Sequence, residues 1–330
     1  MTPKPPPPER PRPPWHVTPA PVRAAGAVIG LTMLVVIIGL AVGWPAVRPT
    51  PHDVPIGVSA PLTVERIQPQ LDGIAADGFT VTSYPDRDTL RSAIRARKVY
   101  GGLTAGPEGT SLFTATGASP QVAQLLARLG HDTAPYTGVP LYTEDLAPLP
   151  ATDPHGSGLP AAALALTLAG LLPALVLPML FPRQLGLQFI TTAAFSIVVA
   201  VALALVLQGV FGTISGTIGT VIAGLALGVL AMGLVLLGLG ALFGRTALAV
   251  GVMVWVVLGH PLSGLISAPE LLPRGWGALG QLLPQGANAT LLRSTAFFAG
   301  AGAGTAILVL SCWVAVGALL VGIAELRERG

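Results

Sequence analysis

Two pairs of metal-capable side chains stand at matching places in this chain. His52-Asp53 follows one long apolar run, and Asp153-x-His155 precedes the next. Imidazole and carboxylate are ligands for a divalent cation, and packing of the two flanking helices would bring all four to one membrane face. Neighbours in an extended chain point to opposite sides, however, and two solvated linkers account for the same residues. The expectation is no metal site, with His52, Asp53, Asp153 and His155 as weak candidates. A second concentration of polar residues interrupts apolar sequence at 259–298, GHPLSGLISAPELLPRGWGALGQLLPQGANATLLRSTAFF, with four prolines, six glycines, one acid and two arginines. Its residues able to gate a pathway at the external face are His260, Pro261, Ser263, Glu270, Arg274, Trp276 and Arg293.

Signatures of catalysis are missing. The sequence has no GxxxxGK[ST] phosphate loop, no HExxH and no GxSxG, so neither P-loop hydrolysis nor those hydrolytic mechanisms apply. Its histidines, 16, 52, 131, 155 and 260, do not cluster. None of the apolar runs has an acid in its central region, where a proton-coupled transporter would keep one. The expectation is a protein that is not an enzyme and carries no cofactor.

The composition says where such residues must be held. Of 330 residues, 52% are hydrophobic and only 10% charged, against about 25% charged in soluble domains, and the mean hydropathy is +0.71. Charge is concentrated in 48–157, which holds 8 of the 18 Lys+Arg and 11 of the 15 Asp+Glu. Elsewhere the basic residues stand mostly beside apolar runs, so a pI of 9.4 points to a lipid surface rather than nucleic acid. The single cysteine, Cys312, excludes an internal disulfide.

Residues 1–23 form a proline-rich, net-positive tail. Residues 24–47 are apolar for long enough to cross a bilayer core, which takes about 20 residues, and are longer than the apolar part of a typical signal peptide; they read as an uncleaved anchor. The 48–157 stretch has the texture of a small α/β domain. VPIGVS, FTVTSYP, VYGGLTAG and TSLFTAT alternate with helical patterns in the order β-α-β-α-β-β-α, with Asp86 and Ser119 as caps. Its size suffices for one core. Residues 158–326 hold five further runs: Leu159–Phe181, Leu187–Gln208, Thr217–Phe243, Ala247–Ile266 and Thr305–Glu325. Gly224-x-x-x-Gly228 and Gly240-x-x-x-Gly244 offer close helix contacts. The expected fold is therefore an α-helical polytopic membrane protein with six transmembrane helices and an extracytoplasmic α/β domain between the first and second. Arg183, Arg245, Arg327 and Arg329 share the side of the basic tail, which the Lys/Arg bias places in the cytoplasm. Both termini, including the short 327–330 tail, are then cytoplasmic in a plasma (inner) membrane.

Within the broken segment, Ser267-Ala-Pro-Glu270 has the form of a capping box. A stripe follows at Leu272, Trp276, Leu279 and Leu283, Pro284-Gln-Gly286 reads as a break, and Asn288 as the cap of a second helix in which Arg293 is free to snorkel. The spacing predicts two short interfacial or re-entrant helices over 267–300, either a lid over a pathway or a hairpin capping the bundle.

Gly259-His-Pro-Leu-Ser-Gly264, Pro269-Glu-Leu-Leu-Pro273, Gly280-Gln-Leu-Leu-Pro284, Leu292-Arg-Ser294 and Phe297-Phe298, with VYGGLTAGPEGTSLFTATGASPQVAQLL (99–126), resemble bacterial membrane proteins related to the YhgE/Pip (phage infection protein) family. The resemblance implies a permease-like subunit of the ABC exporter superfamily's second type. It would associate with membrane lipid and a separate ATPase, in a homo- or hetero-oligomer. The rival expectation is a non-transporting anchored protein whose external domain binds a partner or an envelope component.

Overall fold

The computed structural model describes residues 50–329 apart from 107, 108, 138, 139, 215 and 266, together with 21, 22, 24–26, 28–30, 32, 33, 36, 37 and 39; side chains 132–137 are not described. The tail expected at 1–23 lies almost wholly outside the described residues, as does the end of the anchor expected at 24–47. The described residues of that anchor are helical, with Val28, Ile29, Met33, Val36 and Ile37 exposed.

Strands β1 (Val54–Ser59), β2 (Phe79–Tyr84), β3 (Gly102–Gly106), β4 (Gly109–Thr114) and β5 (Leu141–Asp145) make one sheet in the order β2-β1-β3-β4-β5. β3 and β4 are antiparallel and the other neighbours are parallel. Helices α1 (Val64–Asp72) and α3 (Pro120–Thr137) join one apolar cluster through Leu71, Val122 and Leu126. Helix α2 (Arg87–Arg95) joins another through Leu90, Ala93 and Ile94. The expected caps form: Asp86 accepts from the Thr89 amide at 2.7 Å, and Ser119 Oγ accepts from the Val122 amide at 3.3 Å. The expected strand order lacked β5, whose sequence LYTED is partly exposed along its length. An edge strand carries no continuous apolar run to announce it.

The rest is helical: α4 (Gly158–Leu180), α5 (Leu185–Leu205), α6 (Ile218–Val254), α7 (Trp276–Leu282), α8 (Pro284–Phe297) and α9 (Gly304–Arg329). Among the described residues four helices are long and apolar enough to cross a membrane, beginning at Gly158, Leu185, Ile218 and Gly304. They mark a membrane-embedded protein. Their outward positions, Leu164, Ile190, Ile197, Val198, Leu308 and Leu319 among them, are exposed and apolar, as a lipid-facing surface requires.

The long α6 is not straight. Gly244 has φ 80° and ψ −172°, a region essentially restricted to glycine. The chain folds back there: a Cβ at Gly240 would lie 3.5 Å from that of Leu248, and Leu236 Cδ2 comes within 2.8 Å of a Cβ built at Gly251. On a straight helix residues eight apart are separated by about 12 Å along the axis. The first leg is the buried centre of the bundle, with Val221, Leu225, Val229, Leu234 and Leu236 scarcely exposed. The returning leg, from about residue 245, widens to a π-turn over Trp255–Gly259 and ends there. The apolar run expected to continue helically to Ile266 instead passes through a short 3₁₀ turn, Pro261–Ser263, and a left-handed Gly264.

The glycine pair at 224 and 228 seats α8. A Cβ at Gly224 would meet Leu291 Cγ at 3.1 Å, and one at Gly228 would overlap the Asn288 amide. Helix α8 is thereby drawn into the bundle. Ala289, Leu292 and Ala296 join one core cluster, and Ala287 and Leu291 another.

In a Cys312→Ser background, cysteines replacing Gly240 and Leu248 are expected to form an intrachain disulfide on mild oxidation, since Cβ atoms about 4 Å apart suit one. Intact-mass measurement after oxidation reads this as a loss of two hydrogens. Two persistently free thiols would contradict the fold-back at Gly244.

Candidate functional site

The interrupted segment docks against the α/β domain, and a cavity of about 440 Å³ lies between them. Three α/β residues reach across. The end of α2 places the first. Lys98 N–H donates to Ala93 O at 2.9 Å and Arg97 N–H to Ile94 O at 2.9 Å, while Arg97 itself has φ 57°. This left-handed position usually falls to glycine or asparagine, because a Cβ costs about 1–2 kcal/mol there. It turns the Arg97 side chain onto α8. Its Nη1 donates to Thr290 O at 3.0 Å and to Ser294 Oγ, and its guanidinium lies 5.3 Å from the Phe298 ring centroid. Tyr100 then donates its hydroxyl to Glu270 Oε2 at 2.7 Å, and His52 donates its backbone N–H to Glu270 O at 2.8 Å.

The bundle side supplies Arg293, only 8% exposed. Its Nη2 donates to Leu265 O at 2.8 Å and Gly264 O at 3.4 Å, closing carbonyls that the broken helix leaves open. Arg293 is thus locked in the core rather than snorkelling. Thr290 donates to Gln281 Oε1 at 2.6 Å, while Gln281 Nε2 is buried without a partner. Apolar contacts fasten the same joint: Phe298 belongs to the cluster of Leu90, Ile94 and Phe113, and Ala268 and Leu271 to that of Ile56, Leu112 and Leu126. The α/β domain therefore shares its core with the bundle on both faces of its sheet.

Several sequence expectations for this segment are corrected. Ser267 does not cap a helix: its hydroxyl is buried and unpartnered, Pro269–Leu271 makes a single 3₁₀ turn, and the Glu270 carboxylate goes to Tyr100 instead. Helix α7 starts at Trp276, after a left-handed Gly275. Pro284 opens α8 rather than ending α7, as suits proline in a first turn, and Asn288 is buried inside α8. Helix α8 is in the core, not at the interface. Trp276 and Leu279 are 45% and 47% exposed, placing the short α7 alone at the outer surface.

The candidate gate residues divide. Glu270, Arg274 and Arg293 line the cavity together with His52 and Asp53. Arg274 also pairs with Asp77 at 3.5 Å, both well exposed, a contact worth little. His260 and Ser263 line a separate void of about 10 Å³ beside Gln285 and Asn288, while Pro261 opens the 3₁₀ turn. The weak metal candidates fall in two places, His52 and Asp53 at the cavity and Asp153 with His155 before α4. Asp153 caps α4, accepting from the Ser157 and Gly158 amides at 2.8 and 2.9 Å and from Thr213 Oγ1 at 2.9 Å. Burial opposes its charge, but these donors hold its carboxyl below the usual range. Among the described residues no three His, Cys, Asp or Glu side chains gather as a metal site would need.

Arg97, Tyr100, Gln281 and Thr290 were not singled out from sequence. The one readable signal is Arg97, an arginine at the C-terminal turn of α2 where glycine is the common choice. No protein-family model, curated protein or solved structure matches this chain.

Burial and neighbouring charges act on two groups of the joint. Burial is the main force lifting the Tyr100 phenol well above its ordinary value, aided by the charge and hydrogen bond of Glu270 and opposed by Arg97 and Arg293. Burial lowers the Arg97 pKa, with Tyr100 and Glu270 pulling the other way. Because the folded pKa of Tyr100 is raised, its contribution to stability is complete below the unfolded value of about 10 and is lost as pH rises through the folded one. Tyr100→Phe is expected to destabilise the protein at pH 7 by about 1.5–3 kcal/mol, the range for a hydrogen bond to a charged group, and to remove this alkaline loss. Thermal unfolding in detergent across pH 7–11 measures both. A melting curve unchanged at pH 7 would show that the bond contributes nothing.

Proposed function

We propose that this protein is the permease-like membrane subunit of an exporter related to the YhgE/Pip group, working with a separate ATPase. In this reading it is a six-span plasma-membrane protein with both termini in the cytoplasm. The carrying observation is the cavity between the external domain and the broken helices of 259–303. Interrupted helices at membrane depth are tolerated where protein or a water-lined cavity satisfies their backbone, and in transporters they mark substrate sites. The fold-back at Gly244 supports counting α6 as two spans, which with the first apolar run makes six. Arg183 and Arg329 line one cleft at the end of the bundle away from the α/β domain, with Glu325 and Glu328. A cytoplasmic subunit would meet the bundle there.

A second reading is favoured by the packing beneath the cavity. The void beside Gln285 and Asn288 is about 10 Å³, room for about one water, which suits a closed bundle that only anchors an external binding domain. The full chain purified in mild detergent is expected to bring down a Walker-motif ATPase in stoichiometric amount, with ATP hydrolysis in the preparation. Purification without any ATPase would sink the exporter reading in favour of the anchored module. For topology, a cysteine replacing Thr82 in a Cys312→Ser chain is expected to react with an impermeant thiol reagent in whole cells, and one replacing Thr246 is not. Labelling at Thr246 would overturn the orientation.

A further inference from the structure

The polar cavity between the α/β domain and the interrupted segment has donors without acceptors. Arg97 spends Nη1 on Thr290 and Ser294, and Arg293 spends Nη2 on Gly264 and Leu265. Their remaining N–H groups have no protein acceptor among the described residues, although a guanidinium carries five donors. Gln281 lines the same wall; its Nε2 has no partner either but is closed off from the cavity surface, so a ligand reaches it only once the amide turns. The lining charges do not balance in the interior. Arg97 and Arg293 face one partly buried carboxylate, Glu270, which already accepts from Tyr100. The other lining acid, Asp53, is exposed, and among the described residues neither arginine has a carboxylate within salt-bridge distance. The free guanidinium N–H groups are not sealed in protein but open onto the cavity, where an oxygen ligand entering it could meet them.

We infer that this cavity binds an oxyanion, a phosphate group held between Arg97, Arg293 and Gln281. Planar guanidinium forks are suited to phosphate oxygens, and an amide N–H₂ adds a neutral donor. Two sources present the group at this place: a free phosphate compound from the external solution, or the headgroup of an anionic lipid. The second has a route, since α7 exposes Trp276, Leu279 and Leu282 beside the cavity wall formed by Gly277, Ala278 and Gln281. The inference deepens the permease reading by naming the chemistry of the cavity's occupant, and it rests on that reading only for any later movement of the ligand. Loss of the ATPase partner would remove the exporter and leave this binding intact; loss of binding would leave the exporter with a different cargo.

The test uses the full chain and the variant Gln281→Glu. That substitution keeps an oxygen for the Thr290 hydroxyl but turns the free donor into a second anionic oxygen. One arm measures inorganic phosphate binding to protein in nonionic detergent by calorimetry. The other measures phosphatidic acid retained by native mass spectrometry from phosphatidylcholine nanodiscs with and without phosphatidic acid. Binding by the wild type in either arm, weakened about tenfold or more in Gln281→Glu, as loss of a charged hydrogen bond implies, supports the site. Phosphate alone names a soluble ligand, phosphatidic acid alone a lipid, and both the headgroup itself. Gln281→Met, which keeps the volume and removes the donor without adding charge, is expected to fall between, so that a folding failure of the glutamate variant still leaves a reading. Wild-type binding in neither arm, or equal binding by wild type and both variants, overturns the inference.

Discussion

A guanidinium carried from the α/β domain into the roof of a membrane bundle sets the arrangement of everything around it. Arg97 reaches α8 only because its backbone takes the left-handed position at the end of α2. It finds oxygens there because α8 presents Thr290 O and Ser294 Oγ to the α/β domain. A half-buried cation is tolerated when polar partners surround it, so the α/β domain, the interrupted segment and the buried helix beneath it must keep one relative placement.

The bundle meets that demand by close packing. Helix α8 carries Gln285, Asn288, Arg293, Ser294 and Thr295 inside protein, where lipid would not serve them. Room for it comes from Gly224 and Gly228 on the central leg of α6. The broken backbone at 260–275 is served the same way: Arg293 closes Gly264 O and Leu265 O, and His52 N–H closes Glu270 O. The segment is half-polar because those polar groups are its structural partners. Its prolines and glycines shape the two short helices and the turns that lead into them.

Much of this was legible and some was not. Strands β1 to β4 and the caps Asp86 and Ser119 were readable, because alternation and capping are local. The turn at Gly244-Arg245 was readable from a charge between two apolar runs. β5 was missed because LYTED on a sheet edge shows no apolar run. The interrupted segment was recognised as two short helices, but polar letters in α8 read as an interface when they belong to the core. Ser267-x-x-Glu270 imitates a capping box although Glu270 is committed to Tyr100, a residue distant in sequence. Partners across the domain joint, such as Arg97 with Thr290 and Tyr100 with Glu270, cannot be read from either side alone.

The central claim is that the α/β domain and the bundle act as one body, joined through Arg97. Electron–electron distance measurement between spin labels at Thr82 on the sheet and Thr246 at the far turn, in a Cys312→Ser chain held in nanodiscs, tests it most directly. One narrow distance distribution is expected, broadened or shifted when Arg97 is replaced by methionine. A broad distribution in the unaltered joint, or an identical narrow one after Arg97→Met, would contradict it.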